Sequence, residues 1–234
     1  NLEAKKGPVV PENREEGISE TDFTGKIKIG VLANRGFEIC LKEWGPTAEY
    51  LSEALHPLEF LIIPLSFDEI IPAAKDKKVS YIVANPAYYA YLEYHGLAER
   101  IATMQEDGTD VTSSVYGGVI FTRPDRNDIF SIPDLKGKKF SAVNRDSLGG
   151  WLAASRVMME HGIDPENDFL PLSFEGTHDN VVLAVLSGKS DAGTVRTRQI
   201  EKMAEEGTIN LSDIRVIRPE NAAENLSFLC STQL

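Results

Sequence analysis

A strand that runs into a capped helix is predicted by Lys139-Phe140-Ser141-Ala142-Val143 and the following Asn144-Arg145-Asp146-Ser147-Leu148-Gly149-Gly150-Trp151. The helix continues over residues 152–161, and Ser147 can cap it by accepting a hydrogen bond from an N–H group two or three positions on. A helix start favours anions, and Gly149 and Gly150 leave room for a ligand near the backbone. The turn is therefore a candidate for one side of a small-anion site, but an ordinary strand-to-helix turn has the same features.

The composition limits the classes of partner. The chain has 234 residues, with 24 Lys and Arg against 36 Asp and Glu, which gives a net charge of −12. Such a surface repels nucleic acids and anionic membranes, so we expect no nucleic acid partner. No apolar run is long enough to span a bilayer. Because the chain begins at Asn1 without a Met, we expect it to be a segment cut from a longer protein.

Strands and helices alternate from residue 26 onward. The periodicity predicts strands at 27–32, 58–65, 80–84, 100–104, 111–122, 139–143, 169–174, 191–195 and 214–217. It predicts helices at 37–55, 67–75, 86–95, 152–161, 178–186 and 197–204. Gly45-Pro46 should break or kink the first helix, whose apolar face is Phe37, Leu41, Trp44, Ala48, Leu51 and Leu55.

Two such series joined by the two long strands, 100–104 and 111–122, predict two α/β lobes with a cleft between them. The expected boundaries are a flexible leader over 1–24, a first lobe over 25–115 completed by 218–234, and a second lobe over 116–217. In open sheets of this kind a ligand binds outside the carboxyl ends of the strands.

The strand-end loops carry polar and cationic side chains. Asn85, before Pro86, and Thr177 are natural helix caps. Capping alone is enough to explain both residues, without any contact to a ligand. Three arginines lie near predicted helix starts, where a positive charge opposes the helix dipole: Arg35, Arg196 and Arg198. Residues that break a local structural preference in this way tend to mark functional sites. Each alone is compatible with a solvated surface side chain. Together they favour an anion site, because a guanidinium can hold an oxyanion through two parallel hydrogen bonds.

Catalytic and metal-binding patterns are weak. The four histidines lie on separate predicted elements, without metal-ligand spacing: His56, His95, His161 and His178. We expect Cys40 to be a buried structural thiol, and the sequence leaves open whether Cys40 and Cys230 form a disulfide. With no nucleophile–base pair and no phosphate or dinucleotide fingerprint, we expect no enzyme, no metal site and no cofactor.

Six segments, taken in order over about residues 25–220, carry a family resemblance. They are Ile29-Gly30-Val31, Trp44 with Ala48-Glu49-Tyr50-Leu51, Ala84-Asn85-Pro86-Ala87-Tyr88-Tyr89, the Ser147–Trp151 turn, His178-Asp179-Asn180-Val181-Val182 with Ala184-Val185-Leu186-Ser187-Gly188, and Asp191-Ala192-Gly193-Thr194-Val195. Together they resemble the phosphonate-type branch of the type II periplasmic binding proteins. The resemblance implies an α/β, two-lobed type II periplasmic-binding-protein fold with a ligand cleft between the lobes.

One subset of that family is especially similar. The segment from Asp191 to Thr197 and the tail Phe228-Leu229-Cys230-Ser231-Thr232 resemble the extracytoplasmic sensor regions of membrane histidine kinases, including those that sense tetrathionate and thiosulfate. The resemblance implies a periplasmic sensor domain within an inner-membrane protein, with a membrane-anchored kinase region in the same chain. The alternatives are the substrate-binding protein of an ABC transporter for phosphonate- or phosphate-like anions, an enzyme acting on a small acid, and a protein-interaction domain.

The resemblance also implies a ligand site between the lobes. Its expected residues are Asn34, Arg35, Asn85, Tyr88, Tyr116, Ser147, Gly149, Gly150, His178, Thr194, Arg196 and Arg198. Closure about Tyr116-Gly117-Gly118 would transmit binding. The sequence departs from the family pattern at two places: Leu148 and Gly149 follow Ser147, and Arg198 stands where some members carry an acidic residue. Both departures argue against an aminoalkyl phosphonate as the ligand. They leave a more fully anionic ligand, such as a sulfur oxyanion, as a hypothesis, and the expected partner is a small anion of the sulfur-oxyanion or phosphonate-like type.

Overall fold

The structure is a computed structural model that describes residues 25–104 and 117–218. The strands are β1 (Lys26–Leu32), β2 (Glu59–Leu65), β3 (Tyr81–Val83), β4 (Gly118–Thr122), β5 (Phe140–Ala142), β6 (Leu172–Phe174), β7 (Ala192–Arg196) and β8 (Arg215–Val216). The α-helices are α1 (Phe37–Ala54), α2 (Ile70–Lys75), α3 (Pro86–Tyr94), α4 (Ala153–Glu160), α5 (His178–Leu186) and α6 (Gln199–Glu205). Shorter turns are the 3-10 segments Phe67–Glu69, Pro133–Leu135 and Leu211–Asp213 and the π-helical turn Leu148–Leu152.

The first sheet has the strand order β2-β1-β3, and all three strands are parallel. The central strand β1 is Lys-Ile-Lys-Ile-Gly-Val-Leu, in which exposed and buried residues alternate before the strand becomes fully buried. Because the strands are parallel, their carboxyl ends lie at one edge of the sheet. The loops that follow β1 and β3, which contain Asn34 and Asn85, therefore open at the same edge.

The second sheet has the order β6-β5-β7-β4-β8. Strands β5, β6 and β7 are parallel, and β4 is antiparallel to both β7 and β8. The carboxyl ends of β5, β6 and β7 thus lead into the Ser147 turn, the start of α5 and the start of α6 at one edge. This is the edge at which ligands bind in open α/β sheets.

Three apolar clusters form the described core. One joins α1 to the first sheet, and another lies under α4 in the second sheet. The third contains residues from both sheets, including Leu32 and Leu65 of the first and Val143 and Val195 of the second. The two sheets therefore share an apolar contact in this arrangement.

One predicted strand was wrong, and of the break or kink predicted in the first helix, the break does not occur. Residues 100–104 form no strand, and Ile101 and Met104 are exposed. Helix α1 is not broken, because it runs from Phe37 to Ala54 with Pro46 inside it. Pro46 and the residue four positions before it, Lys42, are both exposed, so water can reach the carbonyl that loses its helical N–H partner.

The buried face of α1 also differs from the predicted one at its start. Cys40 and Ala48 are buried and Trp44 is half-buried, whereas Phe37 and Leu41 are exposed. The buried face therefore begins at Cys40. The predicted burial of Cys40 is confirmed: the residue is a free thiol whose pKa is raised to about 11 by burial and then by the nearby charge of Glu43.

Several predictions lie outside the described residues. They concern the leader 1–24, the first half of the predicted strand 111–122 with Tyr116, and the tail with Cys230. Within residues 25–104 and 117–218, no helix has the length and apolar character that a membrane crossing requires.

Candidate functional site

The loop after β1, the start of α5 and the end of β7 meet directly. The backbone N–H of His178 donates to the carbonyl oxygen of Asn34 at 3.0 Å. The backbone N–H of Arg196 donates to Nδ1 of His178 at 3.2 Å. Three predicted site residues on three different elements are thus in contact across the two sheets.

The Ser147 turn begins a helix as predicted. Ser147 is fully buried, and its side-chain oxygen accepts a hydrogen bond from the N–H of Gly150 at 3.1 Å. The first turn is π-helical, over Leu148–Leu152, and α4 follows it directly. The cap thus holds the turn against the end of β5.

The two glycines of this turn are needed for packing. A Cβ on Gly149 would lie 2.6 Å from the carbonyl oxygen of Gly117 and 2.9 Å from Cα of Arg196. A Cβ on Gly150 would lie 2.7 Å from the hydroxyl oxygen of Ser147. The space that the sequence argument reserved for a ligand is therefore filled by the protein's own atoms. Close packing brings the turn onto the residues that flank it.

Asn85 caps α3 with the oxygen of its side-chain amide, and the NH₂ group takes no part in the cap. Its Oδ1 accepts from the N–H groups of Ala87 at 2.9 Å and Tyr88 at 3.1 Å. These two bonds fix the amide orientation, so the remaining group is the NH₂ donor. That Nδ2 is buried and has no hydrogen-bond partner within the described part of the chain.

Tyr88 connects the Asn85 turn to the Ser147 turn. Its hydroxyl donates to the carbonyl oxygen of Phe67 at 2.6 Å. The pKa of Tyr88 is raised, first by burial and then by the negative charges of Asp146 and Asp68. Asp146 immediately precedes Ser147, so the loop after β3 faces the turn after β5.

Thr194 is the second buried polar group without a partner. Its residue is 0 % exposed, and its Oγ1 has no hydrogen-bond partner among residues 25–104 and 117–218. Residues two apart on a strand share a face, so Thr194 and Arg196 lie on the same side of β7. Gly149 packs against Arg196 on that side, so the Ser147 turn lies beside it.

His178 is neutral because its environment disfavours a positive charge. The residue is 1 % exposed, and its pKa is lowered well below the usual value, first by burial and then by the charges of Arg196 and Arg35. Since Nδ1 accepts the N–H of Arg196, the proton of the neutral ring is on Nε2. His178 can therefore offer one further N–H group.

Arg35 is engaged by two carboxylates. Nε and Nη2 donate to the two oxygens of Asp179, both at 2.8 Å. Nη1 and Nη2 donate to the two oxygens of Glu206 at 2.7 and 2.6 Å. The pKa of Arg35 is raised by these hydrogen bonds, and that of Glu206 is lowered by the same pair. With four of its five N–H groups used in this way, Arg35 is committed to the protein's own acids.

Two of the residues around Arg35 were missed by the sequence argument. Gln199 is fully buried, and it donates from Nε2 to Oδ1 of Asp179 at 2.8 Å and accepts at Oε1 from Nε of Arg196 at 3.3 Å. Glu206, one residue beyond α6, also had no local signal. Asp179 was not among the expected site residues either.

The remaining predicted residues are placed differently. Arg198 is exposed and precedes α6 in a left-handed conformation with φ of 63°, which is unusual for a residue with a side chain. Tyr116 lies outside the described residues. Groups of three or more His, Cys, Asp or Glu that could hold a metal ion are absent from the part of the chain that the structure describes.

An open depression of about 570 Å³ lies elsewhere, along α5. Its lining includes Glu175, Asn180, Leu183 and Lys189 and none of the predicted site residues. The contacts and unpaired polar atoms at the strand ends are therefore stronger evidence for a ligand site than surface shape.

Comparison with known proteins gives consistent similarities. A family model described as the periplasmic substrate-binding protein of a phosphonate ABC transporter matches residues 29–234. The tetrathionate sensor histidine kinase of Salmonella typhimurium is 33% identical over 194 residues, which is 82% of this chain and 32% of that protein. A phosphate-import protein of Mycolicibacterium smegmatis is 25% identical over 123 residues, 50% of this chain and 37% of that protein. The chain thus spans about a third of the length of the curated relatives it matches.

Solved structures show the same fold. A phosphonate-binding protein of Prochlorococcus marinus in complex with methylphosphonate superposes with a TM-score of 0.69 at 17% identity, over 83% of this chain and 72% of that one. The binding component of a phosphonate ABC transporter from Pseudomonas aeruginosa gives a TM-score of 0.69 at 17% identity, over 82% of this chain and 64% of that one.

Proposed function

Because this chain belongs to the family of periplasmic substrate-binding proteins of phosphonate ABC transporters, we propose that it binds a small oxyanion between two lobes, as the extracytoplasmic sensor domain of a membrane histidine kinase. The two-lobed α/β fold predicted from the sequence is confirmed by the structural neighbours. We call the part built on β1–β3 the first lobe and the part built on β4–β8 the second lobe.

Three buried side-chain polar atoms have no hydrogen-bond partner among the described residues: Nδ2 of Asn85, Oγ1 of Thr194 and Nε of Arg215 on β8. The observation that carries the proposal is the first two, Nδ2 of Asn85 and Oγ1 of Thr194. A buried donor left unpaired costs roughly 1–3 kcal/mol, so native proteins seldom keep one without a reason. One belongs to each lobe: Asn85 follows β3, and Thr194 lies within β7, two residues before the strand ends at Arg196. Both can donate to an anion, and a bound oxyanion would satisfy them together.

Two further groups of the second lobe suit the same ligand. The N–H at Nε2 of His178 is a neutral donor beside the backbone of Arg196, whose side chain lies on the Thr194 side of β7. A guanidinium adds charge-assisted hydrogen bonds, which are about twice as strong as neutral ones. The proposed contacts are therefore Asn85 from the first lobe and His178, Thr194 and Arg196 from the second, because the Tyr88 hydroxyl already donates to Phe67 and the Ser147 oxygen caps its own turn.

The sensor role is supported by the similarity to the tetrathionate sensor kinase, which covers most of this chain. On that basis the ligand is a sulfur oxyanion such as tetrathionate, and the domain is extracytoplasmic, attached through the same chain to a membrane and a kinase region. The similarity to phosphate- and phosphonate-binding transport proteins favours the second candidate, a transporter component for phosphonate-like anions. The full-length sequence distinguishes the two, because a transmembrane helix followed by a kinase supports only the sensor.

Calorimetry and thermal shift with a panel of anions test the proposal. The panel contains tetrathionate, thiosulfate, sulfite, sulfate, phosphate, methylphosphonate and acetate. At about 100 times its dissociation constant, a ligand should add roughly 2.7 kcal/mol to the free energy of unfolding. If no anion in the panel binds, the oxyanion proposal is wrong.

A pair of threonine variants locates the site. Thr194→Val removes a hydroxyl that has no partner among the described residues, so the ligand-free protein should keep its stability while anion affinity falls by about tenfold or more. Thr122→Val is the matched control, because Thr122 is equally buried on neighbouring β4 and its hydroxyl donates to the carbonyl of Asp191 at 2.6 Å. The control should lose about 1 kcal/mol of stability and keep its affinity. The opposite pattern would place the ligand elsewhere.

A further inference from the structure

Arg35 joins the two lobes through partly buried ionic contacts. It lies in the loop after β1 of the first lobe, while Asp179 is in the first turn of α5 and Glu206 follows α6 in the second lobe. The Arg35 side chain is 2 % exposed, that of Asp179 is 16 % exposed and that of Glu206 is 41 % exposed. Both contacts are bidentate, with distances of 2.6–2.8 Å between the guanidinium nitrogens and the carboxylate oxygens. They exist only while the lobes are together.

The charges around Arg35 do not favour an external anion. Oε1 of Glu43 lies 3.7 Å from Nη1 of Arg35, and Glu43 also pairs with Lys202 of the second lobe. The cluster therefore contains two cations against three carboxylates and carries a net negative charge. An anion entering it would have to displace acids that already satisfy the guanidinium, and would be repelled by them.

The cluster is connected to the proposed anion site by one side chain. Asp179 accepts from Nε2 of Gln199 at 2.8 Å, and Oε1 of Gln199 accepts from Nε of Arg196 at 3.3 Å. Since Gln199 is fully buried and bonded at both ends of its amide, its orientation depends on both partners. A change at Arg35 thus reaches Arg196 through two hydrogen-bonded neighbours.

We propose that Arg35, Asp179 and Glu206 form an interlobe clamp that stabilises the closed domain, and that Gln199 is a positioning residue that couples the clamp to Arg196. The coupling rests on the proposed function, because it assigns regulation to the same anion site. Arg35 is then not a ligand contact but the group whose pairing sets how readily the lobes close. The fraction of closed molecules in turn scales the apparent affinity for any ligand that binds the closed form.

Solution scattering of the ligand-free protein tests the clamp by itself. Arg35→Ala and Glu206→Gln should each increase the radius of gyration, because the closed form loses its interlobe ion pairs. Lys78→Ala is the control, since it removes a cation from an exposed pair with Asp76 within the first lobe. The clamp is overturned if circular dichroism shows folded variants whose scattering curves match those of the parent and the control.

Glu206→Gln also separates a clamp from a ligand contact by the sign of its effect. If Arg35 bound the anion, neutralising Glu206 would free the guanidinium and raise affinity. If Arg35 is a clamp, the same change weakens affinity for tetrathionate and for methylphosphonate by a similar factor, roughly 5- to 150-fold. Higher affinity in Glu206→Gln would overturn the inference.

Gln199→Leu tests the coupling. It should lower anion affinity while leaving the ligand-free radius of gyration unchanged, because the ion pairs of Arg35 remain. Unchanged affinity would exclude Gln199 as a positioning residue. The failures are distinguishable: if no probe binds but Arg35→Ala still opens the protein, the clamp stands and the proposed function is wrong. If probes bind but the variants scatter like the parent, only the clamp is wrong.

Discussion

The buried neutral His178 makes the stability of the domain depend on pH in a predictable direction. In the folded protein its pKa is well below the ordinary value of about 6.5, because the ring is buried and two arginines lie near it. The unfolded chain binds a proton to this side chain below about pH 6.5, whereas the folded chain does not. Stability from His178 is therefore fully present above pH 6.5 and is lost as the pH falls through that value.

The magnitude follows from proton linkage. At pH 5.5, one unit below the unfolded pKa, the unfolded state gains about 1.4 kcal/mol relative to pH 7.5. For a chain of this size that corresponds to a fall of roughly 3–6 °C in melting temperature. Glu206 contributes in the same direction only at lower pH, because its pKa is lowered from 4.5 and its stabilisation is lost below that value.

The assay compares three ligand-free proteins by urea unfolding at pH 7.5, 6.5 and 5.5. His178→Asn keeps an oxygen that can accept the N–H of Arg196, but its side chain does not titrate. Between pH 7.5 and 5.5 this variant should therefore lose about 1.4 kcal/mol less stability than the parent protein. His161→Asn, at an exposed position after α4, is the control and should behave like the parent. If the parent and His178→Asn show the same pH dependence, His178 is not held neutral and the electrostatic description of the site is wrong.

Two further predictions concern packing. Gly149→Ala should destabilise the protein by roughly 1–3 kcal/mol in urea unfolding, because the added methyl meets the backbone of Gly117 and Arg196. Gly45→Ala in α1 has open space around the methyl and should instead stabilise by about 0.5–1 kcal/mol, so equal effects of the two would refute the packing argument. Cys40, buried and with its pKa raised to about 11, should resist alkylation at pH 8 in the folded protein and react on unfolding, as measured by peptide mass spectrometry. Rapid labelling of native Cys40 would contradict its placement.

Local features of the site were predictable because they depend on neighbours in the chain. The caps by Asn85 and Ser147 are confirmed, as is Thr177, whose hydroxyl oxygen accepts from the N–H of Asn180 at 3.2 Å. Each involves residues two or three positions apart, which is the range that a sequence pattern contains. The approach of His178 to Arg196 was predictable from topology, since β6 and β7 end at one edge of the second sheet. The contact with Asn34, which belongs to the other sheet, was expected only from the resemblance.

The partners of Arg35 were not predictable in the same way. Asp179 and Glu206 are 144 and 171 positions away, and no local rule connects a residue in the first turn of α5 with a loop after β1. The sequence argument correctly identified Arg35 as an unusual cation near a helix start, but it could not determine which anion satisfies it. The same limit applies to Gln199, an ordinary polar residue in a helix until the fold buries it.

The proposed anion site is compatible with a chain whose net charge is −12. Charges spread over the surface are screened beyond about 8 Å at physiological ionic strength, so they act weakly on a ligand enclosed between the lobes. Close to the site, the acids Asp179 and Glu206 are held by Arg35 and cannot approach Arg196 independently. Recognition is then left to Arg196 and to neutral donors, Nδ2 of Asn85, Oγ1 of Thr194 and Nε2 of His178, which gain strength where water is excluded. A site built from fixed neutral donors needs closure to function, because in an open cleft water would satisfy the same atoms. Ligand binding and lobe closure are for this reason expected to occur together.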